Sequence, residues 1–319
     1  MTLHHRTADH HHGTIDPAIT ASQQGLWAVQ WSFAGLMVTA LLQLAVVFLS
    51  GSIALLADTI HNFADASTAI PLGIAFLLAR WKPTKRFTYG YGRVEDLAGV
   101  MVVLTILISA IVAGYESIHR LLHPESISHL WAVAVAALIG FGGNELVAMF
   151  RIKTGKAIGS ADLVADGHHA RVDGLTSLSV LLGALCTAAG YPIADPLIGL
   201  FITGVILVVV WQSAKTVFTR LLDGVEPGVL DEIRHAAQHV SGVHEVTEIR
   251  VRWIGHRLHA EVNIAVASNL SVKEGHTLAK HVQHEILHHL QYLSIAIIHV
   301  DPLEEAGEAF HQEGGRVPG

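Results

Sequence analysis

Asp162, Asp166, His169 and Asp173 are spaced i, i+4, i+7 and i+11. On a helix those offsets fall on one stripe. Leu163, Val164, Ala170, Val172 and Leu175 cover the other faces, and an apolar run to Gly190 follows. Carboxylates and imidazole on an apolar helix are costly unless they bind or move something. A second apolar segment, residues 53–78, carries Asp58, His61 and Asp65 at i, i+3 and i+7. Each segment therefore holds a His-x-x-x-Asp pair. Side by side, the two helices can close a set of two imidazoles and two carboxylates. Two nitrogens and two oxygens in a tetrahedron suit Zn²⁺ without any thiolate. Ionised Asp65 and Asp173 would neutralise a divalent ion, which could not otherwise sit in a medium of low dielectric. The emptied set would take up protons on Asp or His, so metal and protons compete for it. Helices that expose such a set alternately to two sides would exchange one for the other.

The segments that position these residues are built for lipid. The chain of 319 residues is 51% hydrophobic and 15% charged, with a mean hydropathy of +0.46; soluble domains carry about 25% charged residues. A span needs about 20 apolar residues, and six stretches qualify: residues 27–49, 53–78, 97–118, 130–150, 163–189 and 193–211. His61 is nine residues from Ser52, and His169 nine from Ser160. Each lies about 14 Å along its helix at 1.5 Å per residue. Entering a core about 30 Å thick from opposite sides, both fall near the midplane. Loops after the second and fourth spans carry Arg80, Lys82, Lys85, Arg86, Arg151, Lys153 and Lys156, so they read as cytoplasmic. Six spans then put both termini in the cytoplasm. A bacterial inner membrane fits the compact size.

The net charge of −7 argues against a nucleic-acid surface. With one cysteine, Cys186, neither an intrachain disulfide nor a thiolate metal cluster can form. Histidine is the outlier, at 23 residues. Residues 1–25 lack a secretory-signal pattern. They hold His4, His5, His10, His11 and His12, and read as a loose polar tail or as a weak metal-capturing tract.

The expected organisation is thus a tail (1–25), a six-helix membrane domain (26–218), a small α+β domain (219–303) and a second tail (304–319). In the α+β part, residues 227–240 read as a helix, and 246–253 and 257–266 as strands about an Ile254-Gly255-His256 turn. Ser271-Val272-Lys273-Glu274 is a capping-box signature for a helix to about Leu290. Residues 294–300 read as a last strand. Asp58, Asp162 and Asp166 read as groups that orient the ligands, line the access path or relay protons, with a helix cap as the plainer role for Asp162. Asn144-Glu145 reads as packing or as part of a proton path.

These motifs resemble those of the cation diffusion facilitator family, over roughly residues 26–302. The resemblance implies six spans, a cytoplasmic metallochaperone-like αββαβ domain, a homodimer, and efflux of a divalent metal against protons. It implies His61, Asp65, His169 and Asp173 as the transport site, in the pattern of zinc-preferring members. It implies a charge pair of Arg93 and Asp223 joining the third span to the soluble domain. Phe87 and Tyr91 stand where some members place histidines of an extra loop site, so that site is expected to be absent. For a cytoplasmic metal site, His276, His299 and Asp301 match, while Thr247 and Asn263 replace two histidines; His259 is the candidate substitute. The histidines of the 272–290 helix also read as a solvated face.

Rival readings remain at this stage. The same fold could carry Cd²⁺, Co²⁺, Ni²⁺, Mn²⁺ or Fe²⁺, which ligand identity separates poorly. A metal sensor that does not transport would use the cytoplasmic histidines but needs no ligand in lipid. His284-Glu285-Ile286-Leu287-His288 fits the zinc-protease pattern, which would need a third ligand and a cleft.

Overall fold

The computed structural model describes residues 17–50, 59, 69–123, 129–191, 193–290 and 292–307. Asp58, His61, Asp65 and the N-terminal histidines lie outside them. Eight helices are described, in order α1 (Pro17–Ser50), α2 (Ala69–Leu78), α3 (Arg93–Leu122), α4 (Leu130–Ile158), α5 (Ala161–Ala188), α6 (Ala194–Leu221), α7 (Pro227–Gln238) and α8 (Val272–His289). Among the described residues, α1, α3, α4, α5 and α6 are long and apolar enough to cross a membrane. α2 is the ten-residue apolar end of the expected second span. Their outward surfaces carry large apolar side chains such as Phe48, Ile111, Phe201 and Trp211. Water would not tolerate so much apolar surface; lipid does.

Helix α5 sits at the centre of the bundle, packed against α3, α4 and α6. Its close approach to α4 depends on two glycines. A side chain at Gly155 would strike Val164, and one at Gly167 would strike the Arg151–Ile152 backbone region. α4 ends on Gly159, whose φ of 72° is the left-handed conformation that glycine adopts without strain. The chain then turns at once into α5. The cap of α5 is Ser160, whose Oγ accepts from the Leu163 N–H at 3.1 Å. This corrects the cap role expected for Asp162, which sits inside the first turn and is buried.

The α+β unit follows α6. Strands β1 (Glu245–Ile254), β2 (Arg257–Val266) and β3 (Leu293–Pro302) lie in the order β1-β2-β3. β1 and β2 form an antiparallel hairpin, and β3 runs parallel to β2 after the α8 crossover. One sheet face packs Ala260, Val262, Ile264 and Ala296 against Ile233 of α7 and Val282 and Ile286 of α8. α8 opens with the expected capping box, Ser271 and Glu274 bonding each other's backbone N–H. The opposite sheet face presents Arg250, Glu261 and Ile297 outward.

Candidate metal centre

The first three turns of α5 are buried on most sides, the stripe included. Asp162, Asp166 and His169 are each at most 2% exposed, whereas His168, one residue off the stripe, is only half-buried. His169 Nδ1 lies 3.6 Å from Asp173 Oδ1, so one turn of helix presents an imidazole and a carboxylate together. Asp166 has another role. Its Oδ2 lies 3.1 Å from Arg151 Nη1 of α4, both side chains fully buried. That pair was not legible in the sequence: Arg151 reads there as a loop charge, and only the close approach at Gly167 places it inside. Arg171 and Glu145 form a second tie, two hydrogen bonds of 3.1 and 2.7 Å between α5 and α4. Glu145 is thus engaged in helix pairing, and Asn144 beside it is buried.

His61 and Asp65 fall outside the described residues, so the structure describes the α5 half of the four-residue set. Among the described residues no group of three His, Cys, Asp or Glu side chains is disposed to hold a metal ion.

In the α+β domain, His299 Nε2 lies 2.8 Å from Asp301 Oδ1 on β3. His259 does not join them. The parallel register pairs His259 with Ile295 and Asn263 with His299, four residues further on, or about 13 Å at strand rise. His259 instead lies near Tyr89, with ring centroids 6.5 Å apart. Burial, then Arg252 and Arg257, hold its pKa down at about 4, so it stays neutral near pH 7. His276 lies on the exposed face of α8 with His281, His284, Glu285 and His288. His284 and His288 are neighbours, with ring centroids 4.9 Å apart, and no third ligand accompanies them among the described residues. Phe87 and Tyr91 lie against each other at a tilt within an aromatic cluster that includes Trp81.

The two parts meet in a polar junction at the helix ends that face the α+β domain. Arg93 binds Asp223 in a close ion pair and also reaches Asp96 at 3.3 Å. Arg220 Nη1 donates to the Gly159 carbonyl at 2.5 Å, and its guanidinium stacks 4.0 Å over Trp253. Tyr292 donates to the Lys156 carbonyl at 3.0 Å.

Comparison with known proteins agrees with this architecture. The pattern of the cation efflux transmembrane domain matches residues 29–222, and that of the cation efflux protein cytoplasmic domain matches residues 225–303. A probable cation efflux system protein of Mycobacterium tuberculosis is 50% identical over 304 residues, 95% of this chain and 91% of that one. A cadmium, cobalt and zinc/H(+)-K(+) antiporter of Bacillus velezensis is 27% identical, over 75% of this chain and 77% of its own. The manganese efflux system protein MneP of Bacillus subtilis is 23% identical, over 79% and 87%. A solved MamM CTD in a cadmium form matches at 25% identity and a TM-score of 0.24, covering 24% of this chain and 95% of that one. With both family patterns matched end to end across a bundle of apolar helices and a small α+β domain, the chain belongs to the cation diffusion facilitator family of multi-pass divalent-cation efflux transporters.

Proposed function

We propose that the protein exports Zn²⁺ from the cytoplasm in exchange for protons, through a midplane site of His61, Asp65, His169 and Asp173. The observation that carries this reading is the His169–Asp173 pair, held on the helix packed at the centre of the bundle and fit to span a membrane. A buried imidazole and a largely covered carboxylate toward mid-span would supply half of a tetrahedral zinc set. The neighbouring Asp166 carboxylate is already matched by Arg151, so Asp65 and Asp173 balance the ion. Once the ion leaves, protons replace it. The basic residues after the second and fourth spans and the expected six-span count support a cytoplasmic location for both termini and the α+β domain, in a bacterial plasma membrane.

The α+β domain serves a homodimer. Its open sheet face carries Ile295 and Ile297, 45% and 59% exposed, beside His299 and Asp301. Two exposed isoleucines beside a ligand pair, on a face that also carries charges, suit a second copy that contributes His276 to a regulatory metal site. Relatives named for cadmium, cobalt, zinc and manganese support Cd²⁺, Co²⁺ and Mn²⁺ as the second reading of the cargo, and ligand chemistry keeps Ni²⁺ and Fe²⁺ with them.

The test is zinc flux in proteoliposomes under an imposed pH gradient, wild type against Asp173→Ala and His169→Ala. Flux that follows the proton gradient and falls at least a hundredfold in both variants is expected. Zinc bound without flux would replace the transporter with a sensor. Flux that survives both changes would move the site elsewhere.

A further inference from the structure

The β1–β2 turn does more than join two strands. Gly255 and His256 are inserted among the ends of the membrane helices. Gly255 has a φ of 59° and abuts Gly92 and Glu95 so closely that a side chain would collide with both. Its N–H donates to Asp96 Oδ2 at 3.4 Å. His256 is 3% exposed, and its Nδ1 lies 2.7 Å from Glu95 Oε2. A carboxylate oxygen there accepts, so Nδ1 carries the proton, and Nε2 lies within hydrogen-bond distance of the Ser22 hydroxyl, at 3.2 Å. The other oxygen of Glu95 accepts from Ser160 Oγ at 2.5 Å, and Ser160 caps α5. The imidazole also stands 6.0 Å, centroid to centroid, from the buried ring of Phe76 on α2. Asp162 presses on Gly99 alongside.

One side chain from the soluble domain therefore touches α1, α2 and α3 directly and α5 through Glu95 and Ser160. Of these, α2 and α5 belong to the two spans that carry the four ligands. The three carboxylates around it, Glu95, Asp96 and Asp162, are each at most 2% exposed. Burying carboxylates is costly, and the cost is met here by hydrogen bonds that the turn helps to supply. If the turn withdraws, water reaches the cluster and that cost is recovered. Docking and hydration are thus two alternative ways of meeting that cost.

We infer that His256 is a positioning residue: docked, it clamps the cytoplasm-side ends of both ligand-bearing helices together and closes the site toward the cytoplasm; withdrawn, it lets them part. This rests on the transporter reading above and adds how the soluble domain governs access to that site. Metal bound to the soluble domain would act by shifting the docked fraction.

The experiment uses the full-length protein reconstituted in lipid, with Cys186→Ser and spin labels on cysteines replacing the exposed Lys85 and Gln238. Distances between the labels report docking, and zinc uptake from the cytoplasmic face reports access. Removing one partner of a buried charged hydrogen bond shifts such an equilibrium about tenfold. His256→Ala should lower the docked-to-undocked ratio by about that factor. Because only the undocked form loads from the cytoplasm, the half-saturating zinc concentration should fall by up to the same factor. His256→Asn, which keeps an N–H near the Nδ1 position, should restore both values. Wild-type distances in His256→Ala, or undocking without a change in half-saturation, would overturn the inference, as would a His256→Asn that behaves like His256→Ala. Absence of flux in every variant would count against the transporter reading, and the distances would still test the clamp.

Discussion

Single side chains in this protein are set by what surrounds their charge. Arg151 and Asp166 are fully buried and matched to each other between α4 and α5. Arg151→Leu leaves the Asp166 carboxylate uncompensated, which costs about 3–5 kcal/mol. The double change with Asp166→Leu should recover most of that, since removing both charges removes the imbalance. Thermal unfolding of the detergent-solubilised protein measures both, and an additive double variant would show that the two charges act independently. His259 behaves oppositely to a paired histidine. Its pKa of about 4 lies below the ordinary 6.5. As pH falls below about 6.5 the unfolded chain gains a proton that the folded domain refuses until about pH 4, so stability drops across that window. His259→Gln should therefore lose less thermal stability than wild type between pH 7 and about 4.5.

At the scale of elements, α5 does two jobs with two faces. Its stripe carries the proposed site residues His169 and Asp173, and its remaining surface carries small residues that let α4 lie close. Gly167→Val would force the helices apart at the level of Arg151, one helical turn from His169. The expected result is lower zinc affinity together with lower stability, measured by isothermal titration and thermal unfolding. Glu145→Gln weakens the tie to Arg171, which is partly exposed. Side-chain bonds between membrane helices are modest, so a loss of about 1 kcal/mol is expected. Unchanged metal affinity in Glu145→Gln would place Glu145 in packing; a changed proton dependence of flux would place it on the proton path.

Across the whole molecule, the junction decides how the two domains act on each other. Arg93 and Asp223 are 37% and 49% exposed, so their ion pair contributes about 1 kcal/mol or less. It orients the domains more than it stabilises them. Arg93→Ala should leave the unfolding temperature nearly unchanged while broadening the distance distribution between labels on the two domains. The exchanged pair, Arg93→Asp with Asp223→Arg, should narrow it again. A large fall in unfolding temperature would mean that Arg93 matters mainly for Asp96, which it also contacts.

Local chemistry was legible in the residues alone. Helical offsets turn directly into a face, so the Asp162–Asp173 stripe followed from spacing, as did the apolar spans from run length and the capping box of α8 from two residues three apart. The strands about Gly255 followed from alternation and a turn residue. What required tertiary structure depends on distance in the chain. Glu95 and His256 are 161 residues apart, and nothing local to either announces the other. His259 and His299 are kept apart by a register that the α8 crossover sets, not by either strand's own pattern. The cap of α5 is Ser160 because the left-handed Gly159 ends α4 one residue earlier, a backbone event invisible in the Asp162 side chain. The sequence by itself determined which groups lie on which element. Only the packing of one element on another decided which charges are buried together, because that choice is made by close approach between helices and not by the periodicity of any one of them.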